Sequence, residues 1–480
     1  MRRTYYQGLI ASLIVLVGCA VHGQTIAVPD NHPAGIAPFP HRKWTVLIYM
    51  SADNELDHYA MNNIHEMESV APMQDAAQPG ITILVQLDRS SDNTAPESWK
   101  DTRRYHIVRD PVMSEQYLRV KDQAPPTIPE TEHPNSPAYK LPGRIFHTLS
   151  LDATVPIMPD STKDGILSPR LDNPPLGKLD MGNPKTLNDF IRWGQRIAPA
   201  DHYLVYTWGH GCGWTLDDDE LRGGKAKSFC EDDGFDPDGT SINSAEISKA
   251  LVGVHHVDVL AMDNCMMAMF EVAYQLRRQV DYLTASEEEI PDRGFDYHDV
   301  LDTLTKQHGN ISPARVAQLI ARDNLSAWQH FGFGNTLTNS VVLPNRTIKA
   351  ARTLSILSRR LIAVHARYRK GLQRARTECI QFGMVTDYIE PSNIVDVCDY
   401  LQRLILYVPD HIVRQQARAA ELAVQACITA DYTSRPYDFA RGLSIYLPAA
   451  KEMTHNYIST YAAFAFCHDT AWLQWLMYSP

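Results

Sequence analysis

Along the chain, short unbroken apolar runs alternate with longer stretches in which apolar residues recur at near-helical spacing. Trp44 to Met50 (Trp-Thr-Val-Leu-Ile-Tyr-Met) is continuous and β-branched, the pattern of a strand buried on both faces. Leu56, Met61, Ile64 and Met67 follow at near-helical spacing behind Asp53 or Asn54 as a cap, which predicts a helix. Ile81 to Leu87 predicts a second buried strand, ended by Asp88. Such alternation implies a parallel sheet with crossover helices.

The pattern lapses from Asp110 to about Pro175, where prolines crowd the chain, and this stretch reads as an insertion or long loop. Periodicity resumes with a helix near Thr186 to Ile197 and a strand from Tyr203 to Trp208 that leads to His210. Asp217 to Asp238 is an exposed loop by composition, and Ile247 to Leu251 closes a short helix. Val257 to Met262 is another buried strand, ending at Asp263-Asn264-Cys265, and Met266 to Arg278 is rich in helix formers. Beyond about Lys306 long helical patterns dominate, among them Ile348 to Tyr368 and His411 to Thr429, with a strand at Gly442 to Leu447. The expectation is an α/β domain over residues 40–305, interrupted at about 110–175, followed by a mostly helical lobe over 306–480. No repeat of fixed period is visible, which argues against a solenoid.

Composition narrows this picture. A hydrophobic fraction of 44% and a charged fraction of 21% over 480 residues are those of a globular chain with a sizeable core. A net charge of -11 argues against nucleic acid as a partner and agrees with basic substrates. Arg2 and Arg3 precede an apolar run from Leu9 to Val17, too short to span a bilayer, so residues 1–23 read as an export signal. Leu16-Val17-Gly18-Cys19 resembles a lipobox, which makes Cys19 the candidate lipidated residue and the protein a cell-envelope lipoprotein. The alternative is cleavage after Gly23 and a secreted or periplasmic protein. Membrane contact is expected only through that lipid, and a monomer is expected. The eight cysteines are scattered, unlike a disulfide framework, and most read as small buried hydrophobes.

Candidate chemistry sits past two strand ends. In open parallel sheets, ligands bind outside the carboxyl ends of the strands, so His210 and Cys265 can converge there. An imidazole that takes a thiol's proton is the usual means of activating it, and the pair suffices for acyl transfer. Spacing alone also allows a cysteine that merely packs.

The surrounding words are more specific. Trp208-Gly209-His210-Gly211-Cys212-Gly213-Trp214, Asp263-Asn264-Cys265-Met266-Met267, and Ala285-Ser286-Glu287-Glu288-Glu289-Ile290-Pro291 with Phe295-Asp296-Tyr297 together resemble the clostripain family of cysteine peptidases. Trp44 to Asn54, Gly442 to Tyr446 and Asp469 to Trp472 are similar to that family too. The resemblance implies a caspase-like fold, with His210 and Cys265 as the catalytic pair and the Gly211 and Cys265 amides as oxyanion hole. It implies hydrolysis of peptide bonds after Arg or Lys, with Asp263, two positions before the nucleophile, meeting the basic side chain. Strand alternation agrees, because residues two apart share a face roughly 6 to 7 Å along the chain, and a carboxylate pairs bidentately with arginine in preference to lysine. Asp263 could instead cap the following helix. Asp292 is a second candidate acid for specificity, or a solvated loop charge.

Cys212 departs from the small residue familiar at its position and is either inert or a second oxidisable thiol. The resemblance also implies activation by self-cleavage between His210 and Cys265, for which Arg222, Lys225 and Lys227 are the candidate sites in an exposed segment. No cofactor is needed for the chemistry. Calcium occurs in the family, and Asp232, Asp233, Asp236 and Asp238 could hold one or simply form a solvated loop. A zinc site fails on ligand spacing. The competing readings are a catalytically silent peptide-binding surface lipoprotein and a cysteine amidase acting on non-protein amides.

Overall fold

The computed structural model describes residues 37–74, 80–90, 99–114, 165–214, 228–330, 337–383, 393–434, 437 and 439–480. Cys19, Arg222, Lys225, Lys227 and most of the Pro-rich segment lie outside these described residues. The apolar run at Trp44 extends to a strand over Arg42–Ala52 (β1), and its side chains divide between two cores. Leu47 and Tyr49 join one, Val46, Ile48 and Met50 the other, as the twofold alternation of a strand requires. Helix α1 (Asp57–Val70) and strands β2 (Ile81–Arg89) and β3 (Thr102–His106) follow. Past the insertion come α2 (Pro184–Ile197), β4 (Ala200–Trp208), the paired short strands β5 (Phe229–Asp232) and β6 (Thr240–Ile242), and β7 (Val257–Asp263). Next are α3 (Phe270–Gln275), β8 (Val280–Ala285), α4 (Tyr297–Lys306), α5 (Pro313–His330), β9 (Thr338–Val342) and the short strands β10 (Gln381–Phe382) and β11 (Ile394–Asp396).

One eight-stranded sheet has the order β12-β9-β8-β7-β4-β1-β2-β3, with β12 at Ile428–Thr433. Its middle is parallel: β1 pairs with β2 and β4, β4 with β7, and β7 with β8. The outer strands β3, β9 and β12 run antiparallel to their neighbours. On one face lie α1, α4 and α5; on the other lie α2, α3 and the long helices Thr347–Val364, Val397–Tyr407 and His411–Gln425. The expected mainly parallel α/β sandwich is therefore present, and the helix-rich stretch beyond residue 306 adds β9 and β12 to the same sheet. No helix among the described residues is long and apolar enough to cross a membrane.

Two differences from the periodicity have physical causes. The helix expected over His411 to Thr429 stops at Gln425, because Ile428 onward pairs with β9 and extends the sheet edge. The helix expected from Met266 begins only at Phe270. Met266 takes a positive φ of 61°, its N–H donates to Glu288 O, and Ala268 N–H donates to Ser286 O, so the backbone after the nucleophile lies along the loop that follows β8. Its helix-forming side chains were outbid by these long-range backbone bonds.

Candidate active site

Strands β4 and β7 are adjacent and parallel, so His210 and Asp263-Asn264-Cys265 leave the sheet at the same edge. Asn264, whose importance sequence reading did not single out, holds the two exits together. Its Nδ2 donates to Gly209 O at 2.8 Å and His210 O at 3.1 Å, and its Oδ1 accepts from Thr207 Oγ1 at 2.7 Å. Amide side chains offer two donors and an acceptor at once, and only that combination spans both loops here.

Gly211 sits directly against the nucleophile's backbone. A Cβ there would meet Cys265 O at 2.6 Å and Cys265 N and Asn264 Cβ at 2.8 Å, so glycine is required for the close approach. In the antiparallel bridge between Gly211 and Phe229 the flanking residues exchange the bonds, Cys212 N–H to Ser228 O at 2.8 Å and Cys230 N–H to His210 O at 3.0 Å. That register turns the Gly211 N–H away from the ladder and leaves it available to an incoming oxyanion. Gly211→Ala is expected to displace one of the two amides and lower kcat on the order of 10²-fold, with the melting temperature showing that the fold persists; unchanged kcat would exclude Gly211 from the oxyanion hole.

A single cleft is lined by Leu56, Trp208, Gly209, His210, Asp263, Cys265, Ile290, Pro291, Asp292 and Gly294. It thus brings together His210, Cys265, Asp263 and Asp292, four of the residues singled out in the sequence. Cys265 Sγ accepts from Ile290 N–H at 3.3 Å. Burial, followed by the charge of Glu289, pushes the thiol well above its ordinary pKa, and Asp292 and Glu288 add to this. His210 Nε2 lies 2.9 Å from Glu55 Oε1. Burial pulls the imidazole pKa down, but the hydrogen bond and charge of Glu55, with Glu231 and Asp292, outweigh it and the net shift is upward.

Asp263 closes the floor. It is 2% exposed, its Oδ1 accepts from Phe295 N–H at 2.9 Å, and its Oδ2 accepts from Tyr297 Oη at 2.9 Å. Asp263 therefore does not cap the next helix, which starts seven residues later at Phe270 behind Met269. Burial pushes the Asp263 carboxyl up to about 7, against the pull of the Phe295 and Tyr297 bonds. Gly294, with φ of 75°, faces it closely: a Cβ would stand 2.7 Å from Asp263 Oδ2. The wall carrying Gly294 is pinned from outside by Trp328 Nε1, which donates to Gly294 O at 2.8 Å, and by the buried Arg293–Glu66 ion pair. Asp292 is exposed on the rim.

Four acids expected as a calcium group do not gather. Asp233 and Asp238 are exposed, and Asp236 Oδ1 accepts from Asp238 N–H at 3.1 Å. Asp232 alone turns inward, where it meets Asp53 and Asp88, the one set of three or more potential metal ligands found among the described residues. Lys178 Nζ already bonds both Asp53 and Asp88, the latter at 2.7 Å, so an ammonium occupies the position that a cation would take. These residues do not fit a resident calcium, and no chemical step depends on one. The seven described cysteines are all free thiols; Cys212, with Sγ 3.5 Å from Ser228 O, lies beside His210 on a neighbouring pocket, and five others are buried.

Comparison with known proteins agrees with this geometry. The sequence profile of the clostripain family matches residues 48–478. Clostripain of Hathewaya histolytica is 26% identical over 277 residues, an alignment that spans 55% of this chain and 42% of that protein's length. Among solved structures, a secreted C11 cysteine protease from Bacteroides thetaiotaomicron in complex with an irreversible peptide inhibitor superposes with a TM-score of 0.57 at 16% identity, covering 92% of this chain and 99% of that one. An inactive zymogen C11 protease from Parabacteroides distasonis gives a TM-score of 0.54 at 18% identity, over 90% and 99% of the two chains. At such identities the two structures speak for the fold.

Proposed function

The chain belongs to the clostripain family, and on that premise we propose that it is an exported cysteine endopeptidase that hydrolyses peptide bonds after arginine and, less readily, after lysine. The observation that carries this reading is the shared cleft, which a buried carboxylate, Asp263, lines together with Cys265 and His210. A cationic side chain seated on Asp263 places the next carbonyl carbon at the thiol two residues along the backbone.

The chemistry then proceeds from these groups. His210 takes the proton of the Cys265 thiol as Sγ forms a bond to the carbonyl carbon, and the Gly211 and Cys265 amides receive the oxyanion. Collapse breaks the C–N bond, and His210 returns its proton to the leaving amine. Water, losing a proton to His210, attacks the thioester; the C–S bond breaks and the thiol is restored.

Self-processing fits the same site. Residues 215–227, which contain Arg222, Lys225 and Lys227, join Trp214 to Ser228, and Ser228 shares a pocket with His210, Gly211, Cys212 and Glu231. Ser228, the first described residue after them, thus stands beside His210. Export rests on the leader, with lipid on Cys19 or cleavage after Gly23 as its two forms, and intact-mass measurement of the mature protein separates them.

Fluorogenic peptides ending in Arg, Lys, Asp or Leu before the reporter test the proposal. Cleavage is expected in the order Arg, then Lys, with Asp and Leu lower by about 10²-fold or more. Equal cleavage of all four, or none by the wild type, removes the reading.

A further inference from the structure

Glu55 stands on the turn between β1 and α1. Three of its neighbours are buried and tied down. Asn54 Nδ2 donates to Glu231 O at 3.0 Å and to Ser51 O at 3.3 Å, and Asn54 Oδ1 accepts from Leu56 N–H at 3.0 Å. Asp57 holds Arg89 through two bonds, at 2.8 and 2.6 Å, and Asp53 is bonded by Lys178. Leu56 lines the cleft that contains Cys265. Glu55 itself is 71% exposed, yet its carboxylate meets His210 Nε2 at 2.9 Å.

From this arrangement we infer that Glu55 is a positioning residue for the reaction, a third member of the catalytic group that acts through His210. The inference rests on the peptidase reading above. A carboxylate on Nε2 selects the tautomer with its proton on that nitrogen, which leaves Nδ1 as the atom that exchanges a proton with the thiol and the leaving amine. It also stabilises the imidazolium formed when the thiol is deprotonated. Exposed ion pairs contribute little to stability, so the effect of this one is expected in catalysis rather than in the melt. The turn was legible in the sequence only as a helix cap; the signal available was that β1, like β4 and β7, ends at the ligand-binding edge of the sheet.

The charged groups facing His210 are Glu55, Glu231 and Asp292, and the remaining titratable neighbours are Cys265 and Asp263 in its cleft and Cys212 on the adjoining pocket. With Glu55 neutralised, the imidazole loses its strongest source of an upward shift. Glu55→Gln is therefore expected to lower plateau kcat by about 10- to 100-fold with KM for an arginine peptide unchanged, while the acidic limb of the kcat profile moves to lower pH. Glu55→Asp, which keeps the charge, is expected to recover part of kcat and of the limb position.

The experiment pairs these profiles with an NMR titration of His210 in ¹³C-histidine-labelled full-length protein, assigned with His210→Gln. The titration midpoint is expected to fall in Glu55→Gln and to fall less in Glu55→Asp. Wild-type kcat with an unmoved midpoint overturns the role of Glu55, and so does a fall in kcat with the midpoint and the acidic limb unmoved, since that is a structural defect. Absence of turnover in the wild type is instead a failure of the peptidase reading, and the titration still decides whether Glu55 governs His210.

Discussion

Asp263→Asn is expected to lower kcat/KM for arginine peptides by about 10²- to 10³-fold, because a substrate cation brought into a desolvated cleft would lose the buried counter-charge that Asp263 supplies. The fold should persist. Asparagine is isosteric, its Oδ1 can still accept from Phe295 N–H, and Tyr297 Oη can accept from the new amide in place of donating. Leucine peptides should lose little, so the ratio between the two substrates is the quantity to measure. The same carboxylate predicts a pH dependence in the wild type. Burial holds it up to about 7 in the free enzyme, so the charge proposed to bind arginine appears only as pH rises through that value, and KM for arginine peptides should fall across the same range. Between the ordinary carboxylate value and about 7 the folded protein keeps a proton that the unfolded chain has released, so the contribution of Asp263 to stability declines as pH rises through this window. A bound cationic peptide should reverse that decline. A KM that ignores pH in the wild type, or an unchanged substrate ratio in Asp263→Asn, would remove Asp263 from the specificity pocket.

How much of this was legible beforehand depends on the range of the forces involved. The strands β1, β2, β4 and β7 were visible because burial on both faces writes an unbroken apolar run into the sequence. The short strands β5, β6, β9 and β12 were not, since runs of three to six residues carry no comparable pattern. The adjacency of His210 and Cys265 could be read from strand ends, and the part of Gly211 from the family resemblance of the words around the histidine. Asn264 and Glu55 could not. Their roles depend on bonds to residues 54 and 55 positions away for Asn264 (His210 and Gly209) and 155 positions away for Glu55 (His210), which only the folded sheet edge creates. The acidic run from Asp232 to Asp238 misled for a related reason: adjacency in sequence is not adjacency of carboxylates, and Asp232 turns inward to Asp53 and Asp88 while its neighbours face water.

Cys265→Ala and His210→Ala are each expected to lower kcat by about 10⁴-fold or more, and the double variant to lose no more than the worse single one, because a nucleophile and its base act as a unit. The surroundings of the thiol sharpen this expectation. Burial and the charge of Glu289 raise its pKa well above the ordinary value, the Ile290 N–H only partly offsets them, and the upward shift of the imidazole, which by itself favours imidazolium, does not make up the difference. A neutral thiol beside an imidazole, rather than a standing thiolate–imidazolium pair, is the resting form that these shifts favour, so the proton must move during attack. His210 is then needed in the same step in which Cys265 is needed, and removing either removes both. Alkylation of the resting enzyme by iodoacetamide reads the same point without substrate. The rate at Cys265, measured against Cys265→Ala, should climb steadily into the alkaline range. A plateau reached below neutral pH would mean that the ion pair stands preformed, and additive losses in the double variant would mean that His210 and Cys265 do not act on the same proton.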